Sequence, residues 1–180
     1  MRTANELMLT IMLGGLGLYF SVLNGRGLLR YAQFQRVRPT AVLTWALPQP
    51  RHYALQIILG VVSGAVAVLN ATMDRPVHHV FSQAVMALYF ILIVPLSTRI
   101  QVGFYRDGVW PVDAGFLPYE KIGRLAFRET PTIVLFLMPR GRSRPLRLPV
   151  PAADYGAVRK VLEEKKREGL VQTQERILGL

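Results

Sequence analysis

YALQIILGVVSGAVAVLNAT, residues 53–72, decides the class of this chain. It runs 20 residues without an Asp, Glu, Lys, Arg or His. A helix crossing the hydrocarbon core of a bilayer needs about 20 such residues, and about 17 still suffice. Two further stretches qualify. Leu7–Leu23 reads LMLTIMLGGLGLYFSVL and Val80–Thr98 reads VFSQAVMALYFILIVPLST, of 17 and 19 residues. The sequence therefore predicts an integral membrane protein. Residues 1–98 form a three-span membrane domain, and residues 99–180 a polar C-terminal part.

Composition supports that division. The hydrophobic share is 51%, yet the mean hydropathy of +0.28 averages an apolar half with a mixed one. The net charge is +11, of which +6 lies in Arg99–Leu180 and +5 before it. In a membrane protein such an excess first of all sets topology. The chain has no Cys, which excludes disulfides, thiolate metal sites and cysteine nucleophiles. Arg outnumbers Lys by 18 to 4, a usage that points to a GC-rich bacterial genome.

The connection 24–52 carries Arg26, Arg30, Arg36, Arg38 and Arg51 and no acid. The connection Met73–His79 has only Asp74 and Arg75. Lys and Arg stay on the cytoplasmic side, so the first connection is expected inside and the second outside. The N-terminus is then outside and the C-terminal domain cytoplasmic, at a bacterial inner membrane. A cleaved signal peptide fits Met1–Leu23 poorly, because Glu6 offsets Arg2 and no A-x-A-like site follows.

The connection itself is long for a bare loop. Leu28, Leu29, Tyr31 and Phe34 alternate with Arg30, Arg36 and Arg38. This pattern predicts either a basic amphipathic segment on the inner membrane surface or a helical continuation of the first span. Thr40–Gln49, between Pro39 and Pro50, is too short to span. It is expected to be interfacial or partly re-entrant, with Trp45 at headgroup level.

Small residues cluster within the spans. Gly60 and Gly64 form a GxxxG pair extended by Ala67 and Ala71, and Gly14, Gly15 and Gly17 lie in the first span. Small residues let helices approach closely in lipid. The face Gly60, Gly64, Ala67 is thus a candidate helix-packing face, serving either a homodimer or the packing of the three spans. No span carries an ionisable residue. Transport of charged substrates and intramembrane proteolysis normally leave one, so both classes are disfavoured.

Past Ile100 the pattern shortens to strands. Asp107–Gly108 sits between Gln101–Arg106 and Val109–Val112, a hairpin signal whose turn positions call for positive φ. Phe116–Pro118, Ile122–Arg128, Thr132–Met138 and Leu146–Val150 read as further extended pieces. Then Tyr155, Val158, Val161 and Leu162 recur at helical spacing. Asp154 is placed as N-cap, Glu163 and Arg167 as an i,i+4 pair, and Gly169 as the stop, with 169–180 a flexible tail.

Strands followed by one amphipathic helix predict a small α+β domain, an antiparallel sheet closed by that helix. The run GFYRDGVW, then FLPYEKIGRLAF, TIVLFLM and RLPV, resembles small bacterial membrane proteins with a C-terminal PH-like domain. Gly103, Gly108, Phe116, Pro118, Tyr119 and Ile122 carry the resemblance, which covers about residues 100–168 of the domain 99–168. It implies a PH-like sheet. Only about five strands are legible, against seven in a full barrel. Two alternatives stay open: an open barrel, or one that draws on the first connection.

Arg140, Arg142, Arg144 and Arg147 crowd one turn and are the candidate contact for anionic lipid headgroups. A solvated basic turn is the plainer reading. Nucleic acid is not expected, since no stacking platform is interleaved with the charges. His78–His79 do not share a helix face, so no metal site is expected. Asp107, Asp113, Glu120 and Glu129 lack a partnering His or a phosphate loop. The expectation is a non-enzymatic membrane protein without cofactor, whose cytoplasmic module binds or scaffolds near the inner leaflet. The alternative is an accessory subunit of a larger transport or envelope complex. That subunit would meet its partner through the GxxxG face and Leu170, Ile177 and Leu178.

Overall fold

The three apolar stretches are helices, and the polar remainder is built from two small antiparallel sheets and a fourth helix. The computed structural model describes residues 4–112, 114–128, 132–141 and 144–169. The chain divides into two compact units. One takes Met1–Ala32 and Pro48–Ile100, the other Gln33–Leu47 and Gln101–Leu180.

Helix α1 spans Ala4–Val37 and belongs to the first unit up to Ala32; α2, Tyr53–Thr72, and α3, Val77–Thr98, lie wholly in it. All three are long and apolar enough to cross a membrane. A helix is the form that satisfies every backbone group without water. With 34 residues, α1 is about 50 Å long at 1.5 Å per residue, well beyond a 30 Å hydrocarbon core. The helical continuation of the first span is thus what forms, up to the residue pair before Pro39. Pro76 opens α3, after Asp74 has turned the chain with φ 50°.

Helix α3 is the hub of this unit. Gly17, Phe20, Asn24 and Gly27 of α1 recur at spacings of three and four residues and meet it along one seam. A Cβ on Gly17 would lie 2.8 Å from the Phe81 ring, and one on Gly27 would run into Ile93. Phe20 packs against Tyr89 and Phe90 at 5.4 and 5.7 Å between ring centroids. Asn24 donates from Nδ2 to the Val85 carbonyl at 2.9 Å, a polar tie in an apolar seam. From the other side, Gly60 of α2 faces Phe90 and Ile91, each 2.8 Å from a Cβ built there, and Gly64 faces Ala87. The wide π turn Tyr89–Ile93 lies just ahead of Pro95, which has no N–H to give and would crowd the turn before it.

Mutations should separate these glycines. Gly60→Leu and Gly17→Leu are expected to lower the detergent melting temperature sharply. Gly14→Leu should be neutral, since a Cβ there meets nothing within 4 Å. Thermal melts of the three variants check this; equal melting of all three would contradict the seam.

Among the described residues of the second unit, seven strands form two sheets. The first has order β1-β2-β3-β4, from Ala41–Ala46, Gln101–Tyr105, Gly108–Trp110 and Leu117–Pro118. The second has order β5-β6-β7, from Ile122–Arg128, Val134–Pro139 and Leu146–Pro149. Every pairing is antiparallel. Helix α4, Tyr155–Arg167, follows and buries Val158 and Leu162.

Strand β1 corrects the expectation for Thr40–Gln49. This piece pairs with β2, Ala41 opposite Tyr105 and Ala46 opposite Gln101, rather than lying as an interfacial or re-entrant segment. The Trp45 indole donates to the Pro149 carbonyl at 2.9 Å. Its pairing partner lies more than fifty residues on, so local pattern could not reveal it. Phe34, read as part of the basic amphipathic run, is only 1% exposed and meets Trp110 edge-on at 5.7 Å.

Smaller expectations also shift. The β2–β3 turn falls on Arg106–Asp107, with Tyr105 opposite Gly108, and neither turn residue has positive φ. Gly108 serves close approach instead: a Cβ there would strike the Leu117 carbonyl and the Phe116 ring. Asp154 does precede α4, yet its side chain makes no capping bond. The ion pair on that helix is Lys165–Glu168 at 2.8 Å, not Glu163–Arg167. Gly169, with φ 72°, ends it as expected.

Candidate functional site

Strand register sorts the second sheet into two faces. Residues directly opposite in an antiparallel pair share a face. Leu125 is opposite Leu137, and Leu137 opposite Leu146. Phe127 is opposite Leu135, and Leu135 opposite Leu148. These leucines and Phe127 form the inner face, which Tyr155 of α4 joins through its ring, 5.7 Å from that of Phe127. Alternation then places the other residues outward.

The outward face is basic around an apolar centre. Arg124 is opposite Met138, Ala126 opposite Phe136, and Phe136 opposite Arg147. Arg128 is opposite Val134, and its guanidinium carbon lies 5.9 Å from the centre of the Phe136 ring. Arg124, Arg128 and Arg147 are all exposed, and Met138 is 40% exposed. Among the described residues of these strands there is no acid.

Of the four arginines expected to act together, three lie among the described residues. Arg147 stands on the outward face in β7. Arg140 follows β6, where its backbone N–H donates to the Lys121 carbonyl at 2.7 Å and its Cγ lies over Gly123. Arg144 is exposed in the β6–β7 connection, and Arg142 lies outside the described residues. Arg124 and Arg128 were missed. They precede Arg147 by about twenty residues, and only strand pairing brings them to it. The alternation of Arg124, Ala126 and Arg128 with Leu125 and Phe127 was the available signal.

The other candidates resolve as follows. Gly60 and Gly64 face α3 within the chain, and Ala67 is buried. His78 lies in α3, its Nε2 3.3 Å from Thr10 Oγ1. Among the described residues no group of three His, Cys, Asp or Glu could hold a metal. Asp107 is in the β2–β3 turn, and its carbonyl accepts the Tyr119 N–H at 3.2 Å. Asp113, Glu129, Leu170, Ile177 and Leu178 lie outside the described residues.

Two buried phenols tie the first sheet together. Tyr119 donates to the Tyr105 carbonyl at 3.0 Å, and Tyr105 to the Gln101 carbonyl at 2.8 Å. Burial pushes the Tyr105 phenol up to about 12, partly countered by Arg38. Tyr119 is raised further by burial, with Glu168, Asp107 and Glu164 adding to the effect. A raised phenol keeps its proton in the folded state. Its stabilising effect is complete below the ordinary tyrosine value of about 10 and is lost as pH climbs through the folded value. The sheet unit is therefore expected to hold to about pH 10 and to unfold between there and about 12. Tyrosinate absorbance should rise together with loss of sheet signal. Ionisation of Tyr105 and Tyr119 without unfolding would refute the linkage.

Comparison with known protein families, with curated proteins and with solved structures finds no match for this chain.

Proposed function

We propose that this is a three-span inner-membrane protein whose cytoplasmic unit is a PH-like binding or scaffolding module working at the inner leaflet. One observation carries the reading. Strands β1 and β2 pair directly, although helices α2 and α3 stand between them in the chain. Paired strands must lie on one side of a membrane. Helices between them that enter the bilayer would then cross it twice, out and back, as two apolar helices of 20 and 22 residues can. This agrees with the five arginines of the first connection, which favour the cytoplasmic side.

The PH-like reading draws on the strand count. Four strands, then three, then a closing helix give the seven that a full barrel needs, with β1 supplied by the first connection. Binding is the role argued, because the exposed chemistry of the described sheet residues is cationic. A reporter fused after Leu180 is expected to be active only in the cytoplasm. Activity only outside would overturn the topology. The accessory-subunit alternative is tested by mild-detergent purification from native membranes. A stoichiometric partner would establish it; recovery of the chain alone would retire it.

A further inference from the structure

We propose that the outward face of β5–β6–β7 is a docking surface for an anionic bilayer, with Arg124, Arg128 and Arg147 on lipid phosphates, Phe136 between them and Met138 beside Arg124. This rests on the inner-leaflet reading above and adds the surface and its ligand. The face carries three exposed arginines and no acid on its described strands. Its centre is apolar rather than polar, so it offers charge at the rim and hydrocarbon in the middle. A bilayer interface presents the complement of both.

Spacing decides between a surface and a single anion. Arg124 and Arg128 are four residues apart on one strand, about 13 Å at 3.3 Å per residue. Arg147 is two strands from β5, about 10 Å away. A pocket for one phosphate converges its donors; this face spreads them across a triangle, and Arg128 is drawn aside over Phe136. Such a layout suits many anions in a plane. Proximity favours the bilayer over a soluble acidic partner. Only Arg99 and Ile100 separate α3 from β2, so a bilayer holding α3 is always within reach at high effective concentration.

The absence of Cys makes the test direct. In the full chain, Met138→Cys is labelled with a polarity-sensitive dye, and the protein is placed in nanodiscs. Discs of phosphatidylcholine alone are compared with discs that contain equal parts of phosphatidylglycerol. In the anionic discs the dye should shift to the blue and resist an aqueous quencher, and salt should reverse both. Each reversal among Arg124→Glu, Arg128→Glu and Arg147→Glu changes the charge by two and should lower the docked-to-free ratio about 25-fold. Arg147→Gln should give a smaller loss, which guards against a fold defect. A label at Ala157→Cys, exposed on α4, should not respond.

Identical emission in both discs would overturn the proposal. A shift on adding soluble polyglutamate but not with anionic lipid would also overturn it and assign the face to an acidic protein. Because nanodiscs expose both leaflets, a failure here is distinct from a failure of the topology, which the reporter fusion reads.

Discussion

A chain that joins Gln33–Ala46 to Gln101–Gly169 through a two-residue Asn-Gly turn is expected to be water-soluble and folded. Arg99–Leu180 by itself is expected not to fold. Both outcomes come from the register of one strand pair. Ala46 stands directly opposite Gln101, so two residues in place of 47–100 close an ordinary hairpin. The joined chain keeps β1, Trp45 with its bond to Pro149, and Phe34 against Trp110. The shorter piece loses all of these. Loss of one buried Phe costs about 3–5 kcal/mol. Removing β1 also leaves the edge of β2 unpaired and Trp110 uncovered. Whole domains are stable by only about 5–15 kcal/mol, and small ones lie at the low end. Circular dichroism and a thermal melt of the two proteins would decide. A cooperative melt of Arg99–Leu180 matching that of the joined chain would show that β1 is dispensable.

Gly103→Ala is expected to destabilise the sheet unit by about 2–6 kcal/mol, and Gly103→Val to abolish its folding. Two costs coincide at this residue. Its φ is 138°, where a side chain adds strain of about 1–3 kcal/mol. A Cβ would also run into the Leu43 carbonyl and would lie 2.8 Å from the Thr44 Cα, all of it backbone. Backbone cannot step aside as a flexible side chain can, so overpacking adds about 1–3 kcal/mol. The close approach falls beside the register shift between Ala41 and Leu43. Denaturant titration of the joined chain measures the effect, with Gly141→Ala as a comparison. Gly141 also has positive φ, 77°, but open space around it, so it should show strain alone. Equal losses at both glycines would remove the role of the β1 contact.

Some of this protein was legible from local pattern. Three apolar runs became three helices because a run of 17 or more uncharged residues carries its own signal. Leu125 and Phe127 alternating with polar neighbours became β5, and Val158 and Leu162 became the buried side of α4. Gly60 and Gly64 announced close helix packing, though not with whom. Gly108 was right as a hairpin residue and wrong in its reason, since it answers to a neighbouring strand rather than to φ.

By itself, then, the sequence determined the three apolar helices and the helix Tyr155–Arg167. Each depends on residues near one another along the chain. The tertiary structure alone decided that Ala41–Ala46 belongs to the sheet, that Phe34 is core, and that Arg124, Arg128 and Arg147 share a face. Those are pairings between distant segments. Their partners are chosen by register and burial, which no window along the chain contains.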